Sequence, residues 1–347
     1  MSEPDLQEKI AFLSRAGSYP EGTNRVERKE THMSCVFLTD RHAWKLKKPA
    51  HYDYLDFSTV EARRKDCEME VELNRRLAPD VYLGTIPLTV DPGGGMRLGG
   101  EGRVIDWLVK MRRLPEHRML DVTMREHTVT VEDARNVGCL LARFYRQARR
   151  FPLSPAAYLK RLETEMADCV RELGQPQYAL PAERIEAIQA VQTGILTREA
   201  AMFEVRAQED RIVDGHGDLR PEHICLEAEP VIIDCLEFNA DIRILDAVSE
   251  LAFLALECER LGAPWVGQWI LETYSRETGD WPPAPLVAYY KRHHALVRAK
   301  IAAWHLKDGA VQDPSQWITK AQDYLRRAST GRFTPEGPQL TRQSGFS

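Results

Sequence analysis

The pattern of hydrophobic and polar residues predicts two differently built parts of the chain. Alternating residues at 35–39 and 43–49 flank a short polar turn and predict a β-hairpin. Two further strand-like runs, 82–89 and 103–111, are separated by Asp-Pro-Gly-Gly-Gly, a strong turn signal. Between these pairs, residues 58–77 follow a helical period. The first part is therefore predicted to be a small, mostly antiparallel sheet with one long helix.

The second part is predicted to be mostly helical, with one strand-rich island at 211–238. Its apolar residues recur at helical spacing in the segments 131–146, 156–173, 247–261, 265–277 and 285–307. Residues 330–347 are rich in Gly, Pro, Ser and Thr, which predicts a disordered tail.

Composition excludes several classes of protein. The 347 residues are 43% hydrophobic and carry a net charge of −5, which argues against a generally basic nucleic-acid binder. No apolar run approaches the ~20 residues that a membrane span requires, and the polar N-terminus does not resemble a secretory signal. The seven cysteines are scattered without a CxxC pair, which is typical of reduced, buried thiols. We therefore expect a cytoplasmic protein without nucleic-acid or membrane partners.

The island contains the candidate chemistry. It reads Asp-Gly-His-Gly-Asp-Leu from residue 214, and two short apolar runs around a turn then lead to Asp234. Two short strands joined by a tight turn form a hairpin, which would bring Asp218 and His223 beside Asp234. Two carboxylates and an imidazole at one rim suit phosphoryl transfer, in which one carboxylate orients the attacking hydroxyl and another holds magnesium.

The His-Gly-Asp-Leu segment followed by Ile-Ile-Asp resembles the aminoglycoside phosphotransferase and choline kinase-like family. By that resemblance Asp218 is the catalytic base, Asp234 is the principal magnesium ligand and His216 organises the loop. Asp246 and Glu250 would support the loop. The family usually has asparagine five residues after the catalytic aspartate, where this chain has His223. His223 would then take the second metal position with an altered metal preference, or metal binding rests on Asp234 alone.

The resemblance extends to the first part of the chain, where the family places a basic residue against nucleotide phosphates. Lys45 and Lys47 alternate with apolar residues and share one side of their strand. The sequence favours Lys47, because Leu-Lys-Lys-Pro resembles the family's Leu-Arg-Arg-Pro segment, with Lys45 as the second choice. Glu70 lies on the apolar stripe of the helix, so it is expected to point inward and pair with Lys47. The strand that ends with Val109 and Met111 resembles the one that contacts adenine.

The segments ETHMSCVFLTDRHAWKLKKP, LDFSTVEARRKDCEMEVELNRRLAPDVYLG and VKMRRLPE resemble a bacterial branch often fused to a P-loop ATP-binding domain. No G-x-x-x-x-G-K-[ST] motif occurs, so a free-standing unit is expected. The resemblance implies a bilobal, protein-kinase-like α+β fold. Residues 1–108 would form a β-rich nucleotide-binding lobe, 109–329 a helical catalytic and acceptor-binding lobe, and 330–347 the tail. The implied activity is transfer of the γ-phosphoryl group of ATP or GTP to a hydroxyl of a small molecule, with Mg²⁺ or Mn²⁺.

Three alternatives remain open at this point. A nucleotide-binding module without turnover would keep the same residues, and His223 is the feature that favours it. A transition-metal hydrolase would use His216, His223 and Asp218, but no clear further ligands accompany them. A protein kinase is disfavoured because no Ala-Pro-Glu-like segment follows Asp234.

Overall fold

The computed structural model describes residues 4–52, 55–307 and 313–330. Of the tail predicted at 330–347, only Thr330 lies within the described residues, at the end of the last helix. The chain divides into two compact units. Within the described residues, the first comprises residues up to 123 together with 216–218 and 222–243, and the second comprises the remainder.

The helices and strands follow one another in an order that places strands first and helices later. Up to residue 125 they are α1 (Leu6–Leu13), β1 (Glu27–Glu30), β2 (Ser34–Leu38), β3 (His42–Lys47), β4 (His51–Tyr52), β5 (Leu55–Asp56), α2 (Val60–Asn74), β6 (Tyr82–Val90), β7 (Met96–Leu98), β8 (Arg103–Arg112) and α3 (Leu120–Arg125). The later ones are α4 (Val131–Gln147), α5 (Pro155–Leu173), α6 (Ala182–Arg198), α7 (Ala200–Gln208), β9 (Ile212–Asp214), β10 (Ile224–Cys225), β11 (Val231–Ile232), α8 (Ala240–Arg243), β12 (Ile244–Asp246), α9 (Ala247–Arg260), α10 (Pro264–Thr278), α11 (Ala284–Trp304) and α12 (Pro314–Thr330).

The first unit is built on an antiparallel sheet of six strands in the order β1-β2-β3-β8-β6-β7. The predicted hairpin forms between β2 and β3, and β3 pairs next with β8, where Lys45 lies opposite Val109. Directly paired residues project from the same face of a sheet, so both side chains point to the same side. Leu108, the predicted border between the two lobes, lies inside β8.

Each face of this sheet is covered by one helix. On one face, Phe37, Trp44 and Leu108 pack with Leu13 of α1 in an apolar core. On the other face, Val109 packs with residues of α2 and with apolar residues around β11. Thr59 caps α2 by accepting a hydrogen bond from the Ala62 N–H group. This second face carries the two lysines of β3, and it positions the candidate site.

The island forms the predicted hairpin, in which β10 and β11 pair antiparallel. The strand before it, β9, pairs instead with β12 in the second unit. Helices α9, α11 and α12 of that unit share an apolar core that includes Leu256, Leu296 and Leu325. The predicted α+β class, with a β-rich lobe followed by a mainly helical one, is confirmed.

Two expectations from composition also concern the fold. Within residues 4–52, 55–307 and 313–330, no helix combines the length and the apolar character that crossing a bilayer requires. All seven cysteines are free thiols, and six of them are buried while Cys139 is half-buried. The predicted use of cysteine as a small core residue is therefore confirmed for those six.

Candidate active site

Lys45 joins three elements of the first unit. Its Nζ atom lies 2.8 Å from Oε1 of Glu70 on α2 and 2.9 Å from Oδ1 of Asp234, which follows β11. The Glu70 side chain is 1% exposed, so the predicted inward orientation of this carboxylate is confirmed. The Asp234 side chain is 47% exposed. A buried carboxylate therefore fixes the lysine, and the lysine in turn holds a carboxylate that solvent can reach.

Lys47, two residues along β3, has a different environment. Its Nζ atom lies 2.7 Å from Oε2 of Glu70 and also contacts the carboxylates of Asp66 and Glu237. Its side chain is 2% exposed, against 15% for that of Lys45. The expected ion pair between Lys47 and Glu70 is therefore present, but three carboxylates enclose this ammonium group.

The charges of this cluster shift the pKa values of its members in different directions. The Lys45 ammonium group is the main reason that the pKa of Asp234 lies well below its usual range. Burial alone would raise the pKa of Glu70, but the two lysines outweigh it and lower that pKa. Burial raises the pKa of Glu237 to about 7. The negative charge of nearby Glu70 acts in the same direction, and together they outweigh the attraction of Lys47.

The loop with the predicted catalytic base is ordered by His216. The His216 Nε2–H group donates to the Ile233 carbonyl at 2.9 Å, because a carbonyl only accepts. The Asp218 N–H group donates to His216 Nδ1 at 3.3 Å, which fits a neutral ring. Burial lowers the pKa of His216 to about 3. Gly217 has φ +88°, and a Cβ atom there would lie 3.0 Å from Arg243 Cγ, so the turn requires glycine.

His223 stands between the two aspartates. Its Nδ1–H group donates to the Asp218 carbonyl at 2.9 Å, and Nδ1 lies 3.9 Å from Asp218 Oδ2. The other ring nitrogen, Nε2, lies 3.5 Å from Asp234 Oδ2. Asp234 has φ +62°, an uncommon value for a residue with a side chain, and its N–H group donates to Tyr82 Oη at 3.1 Å. The structure thus brings together the three residues that the hairpin was expected to assemble.

The donor set formed by His223 and Asp234 fits a divalent cation bound partly by substrate. Within the described parts of the chain, no group of three or more His, Cys, Asp or Glu side chains is arranged to hold a metal ion. Magnesium sites at nucleotides commonly use only one or two protein carboxylates, with phosphates and water supplying the rest. Asp234 Oδ2 and His223 Nε2, 3.5 Å apart, supply one oxygen and one nitrogen atom to such a partial site.

Asp246 and Glu250, expected to support the loop, are buried in the second unit. The Asp246 carboxylate accepts two hydrogen bonds from Arg206, at 2.7 and 2.8 Å, and caps α9. Glu250 accepts from Tyr145 Oη at 2.7 Å, and its Oε2 atom would lie 2.8 Å from a Cβ atom on Gly215. Glu250 therefore lies against Gly215, the residue before His216, whereas Asp246 fixes Arg206 and the start of α9.

As for Met111, a contact with adenine stays a prediction for Val109. Its side chain is 0% exposed because the pairing with Lys45 turns it toward α2, and Met111 on the same face is 8% exposed. Sequence reasoning also missed Glu237 and Asp66 as partners of Lys47. The available signal for Glu237 was the presence of a carboxylate only three residues after Asp234.

No family model matches the sequence. Uncharacterized proteins from Mycobacterium tuberculosis and Mycobacterium bovis are 32% identical to this chain over 314 residues. The matched region covers 88% of this chain but only 60% of those proteins, so the chain spans less than two thirds of their length.

Three solved structures share the fold at low sequence identity. A choline/ethanolamine kinase family protein from Mesorhizobium loti has a TM-score of 0.53 and 17% identity, and the match covers 94% of this chain and 96% of that chain. The choline kinase LicA from Streptococcus pneumoniae has a TM-score of 0.55 and 14% identity, with 93% of this chain and 99% of that chain covered. A GDP complex of aminoglycoside 2'-phosphotransferase-IIIa has a TM-score of 0.54 and 15% identity, with 95% of this chain and 100% of that chain covered. The chain has the protein-kinase-like fold that choline kinases and aminoglycoside phosphotransferases share.

Proposed function

We propose that this chain is a phosphotransferase that moves the γ-phosphoryl group of ATP or GTP to a hydroxyl group of a small molecule. The observation that carries the proposal is the contact of Lys45 with both Glu70 and Asp234. Asp218 and His223 lie beside it in the same unit. One cation and two carboxylates in this arrangement suit a reaction that depends on positioning and charge neutralisation.

Lys45, rather than Lys47, is the residue that binds phosphate oxygens in this proposal. Phosphate needs a cation that solvent can reach, and Lys45 meets the exposed carboxylate of Asp234. Lys47 is buried among three carboxylates, so an incoming phosphate would meet their negative charge first. Glu70 contacts both ammonium groups and holds Lys45 in place.

In the proposed reaction, the acceptor oxygen forms a bond to the γ-phosphorus while the bond between that phosphorus and the bridging β–γ oxygen breaks. The acceptor proton passes to the Asp218 carboxylate, and the nucleoside diphosphate leaves with the bridging oxygen. His216 and His223 fix the loop through their hydrogen bonds to the Asp218 N–H and carbonyl groups. Asp218 is thereby oriented before the acceptor arrives.

Asp234 and His223 are the residues that would hold Mg²⁺ or Mn²⁺. A bound divalent ion neutralises charge on the phosphates during transfer. An imidazole nitrogen is a softer ligand than the amide oxygen of the asparagine that the related family uses, so His223 favours Mn²⁺ relative to Mg²⁺.

The direct test compares wild type with Asp218→Asn, measuring diphosphate release in the presence of an acceptor panel and nucleotide affinity by calorimetry. We expect turnover to fall by about 10²–10⁴-fold, the usual contribution of a positioned base, with nucleotide affinity within about twofold. Glu72→Gln, an exposed carboxylate on α2, is the matched control and should leave both measurements unchanged. Equal turnover in wild type and Asp218→Asn would remove Asp218 as the base.

His223 is the observation that favours a nucleotide-binding module without turnover. In that case wild type binds ATP but transfers nothing to any acceptor, and His223→Asn restores transfer. If wild type transfers phosphate and His223→Asn changes only the ratio of the Mn²⁺ and Mg²⁺ rates, the phosphotransferase is supported instead.

A further inference from the structure

Two buried side chains of the first unit hold the backbone at Asp234. The Asp234 N–H group donates to Tyr82 Oη at 3.1 Å, and the next N–H group, that of Cys235, donates to Asn74 Oδ1 at 2.9 Å. Tyr82 begins β6, Asn74 ends α2, and each residue is 1% exposed. Two consecutive N–H groups are thus attached to elements that form the core of this unit.

These hydrogen bonds fix a backbone conformation that is unfavourable for a residue with a side chain. Asp234 has φ +62°, in the left-handed region, where the Cβ atom of an L-residue lies too close to a backbone carbonyl oxygen. The N–H groups of residues 233 and 236 donate to the carbonyls of His223 and His216, so the chain is also bound on either side of this turn. Without an acceptor for the Asp234 N–H group, the turn would relax toward a negative φ, and the carboxylate would point elsewhere.

A β-bulge brings the Tyr82 side chain to this position. The pairing of β6 with β8 passes from Gly84 directly to Tyr82 and skips Leu83. In a regular register Leu83, not Tyr82, would lie opposite Met111 and take the face that α2 covers. Instead Tyr82 shares the apolar core on that face with Met111, and Leu83 is 45% exposed. The bulge therefore exposes an apolar side chain and buries a phenol, which indicates that the hydroxyl group has a role beyond packing.

We infer that Tyr82 and Asn74 are positioning residues, which hold Asp234 in the conformation that binds the divalent ion. The inference rests on the proposed function, because Asp234 is the metal ligand of the proposed phosphotransferase. Lys45 also holds this aspartate, through Oδ1, but the proposed reaction uses the same ammonium group for phosphate oxygens. The two backbone hydrogen bonds do not depend on Lys45, so the carboxylate stays in place when phosphate arrives. A ligand that is already in position loses no affinity to reorganisation.

Tyr82→Phe removes the hydroxyl oxygen atom and keeps the ring. We expect the Asp234 N–H group to lose its acceptor and most molecules to relax to the more favourable negative φ. If about a tenth of the molecules keep the binding conformation, Mn²⁺ affinity falls by about tenfold. Calorimetry with the full chain measures this affinity, with Mn²⁺ titrated in the presence of a saturating concentration of the β,γ-imido analogue of ATP. Affinity for the analogue in EDTA should stay within about twofold of wild type, because the variant changes only a ligand of the ion.

Hydrogen exchange followed by mass spectrometry provides a second readout, which needs neither metal nor turnover. Peptides that cover residues 232–238 should exchange faster in Tyr82→Phe than in wild type, whereas peptides that cover β2 and β3 should not change. Asn74→Ala removes the acceptor of the Cys235 N–H group, together with the hydrogen bond from Nδ2 to the Glu70 carbonyl. It should also weaken Mn²⁺ binding and speed exchange at residues 232–238, so the test does not depend on a single variant.

Tyr19→Phe is the matched control, since it deletes a buried phenol hydroxyl from the same unit. Tyr19 is 4% exposed, and its hydroxyl group donates to the Leu13 carbonyl in the apolar core on the other face of the sheet. A buried hydrogen bond is lost in both variants, so their melting temperatures should fall by similar amounts. In Tyr19→Phe, however, Mn²⁺ affinity and exchange at residues 232–238 should stay as in wild type.

The outcomes of these measurements separate the inference from the proposed function. The inference is overturned if Tyr82→Phe binds Mn²⁺ as tightly as wild type, if Tyr19→Phe weakens Mn²⁺ binding equally, or if wild type with the analogue binds no Mn²⁺. In each of these cases, phosphate transfer by wild type would leave the proposed function standing. If Mn²⁺ affinity and exchange follow the expected pattern but wild type transfers phosphate to no acceptor, the proposed function alone is wrong.

Discussion

Lys45 and Lys47 lie two residues apart on the same face of one strand, yet their surroundings assign them different roles. Both contact Glu70. The other partner of Lys45 is Asp234, with 47% of its side chain exposed, whereas the other partners of Lys47 are Asp66 and Glu237, which are 11% and 9% exposed. A cation whose partner reaches solvent remains available to a ligand, and a cation enclosed by carboxylates is part of the core.

This difference shows that the number and exposure of its carboxylate partners, more than its charge, decide whether a lysine of this strand is available to a ligand. Lys47 satisfies carboxylates from α2 and from the segment after Asp234, so it ties that segment to the sheet. Its loss would leave buried negative charge without compensation, which is costly. Loss of Lys45 would leave Glu70 paired with Lys47 and Asp234 in solvent, which costs little stability but removes the proposed phosphate contact.

The largest effect on activity is expected from Lys45→Met. Removing one preorganised charge from a transferring group commonly reduces turnover by about 10²–10³-fold, and we expect a loss of that size with the melting temperature close to that of wild type. Diphosphate release and thermal unfolding of the same samples measure the two quantities.

Lys48→Met provides the matched control for this variant. Lys48 pairs with the exposed Glu30 at 2.6 Å, so its removal deletes the same charge just beyond β3. Its turnover should equal that of wild type. If Lys45→Met retained full turnover while Lys47→Met, correctly folded, lost it, the two lysines would have to exchange roles.

Lys47→Met is expected to act on stability. Breaking a buried ion pair by removing one partner typically costs about 3–5 kcal/mol, and here several carboxylates lose the same cation. The free energy of unfolding in urea should fall by that order, and turnover per folded molecule should change by less than in Lys45→Met. Combining Lys47→Met with Glu237→Gln should recover part of the loss, because one of the stranded charges is removed. A double variant as unstable as the single one would contradict this account.

The sequence was sufficient for features that depend on local spacing. The period of α2 turned Glu70 inward, and the short island hairpin brought His223 within 3.5 Å of Asp234, because both depend on residues close in the chain. The sequence could not decide between Lys45 and Lys47 as the residue that binds phosphate. That choice depends on where Asp234 and Glu237 lie, almost 190 residues away, and alternation gives both lysines the same face.

One other feature was inaccessible for a related reason. Strand alternation identified β8 but could not say that its register with Lys45 turns Val109 into the core.

The smallest expected effect is a pH dependence that separates Glu237 from the other carboxylates around Lys47. Its pKa rises from 4.5 to about 7 because burial and neighbouring carboxylates disfavour its charged form. The folded protein therefore binds this proton more tightly than the unfolded chain, and stability is lost as pH rises from about 4.5 to 7. Glu237→Gln resembles the protonated form at every pH. It should equal wild type near pH 4.5 and exceed it by about 1–3 kcal/mol above pH 7.

Urea unfolding of both proteins at pH 5, 6, 7 and 8 measures that difference. Asp234 and Glu70 have lowered pKa values and make each protein less stable in acid, but their contributions are common to both and cancel. A difference that stayed constant across this range would mean that Glu237 is ionised throughout. Lys47 would then compensate the negative charge of all the carboxylates around it. The only difference between Lys47 and Lys45 would be how exposed their partners are.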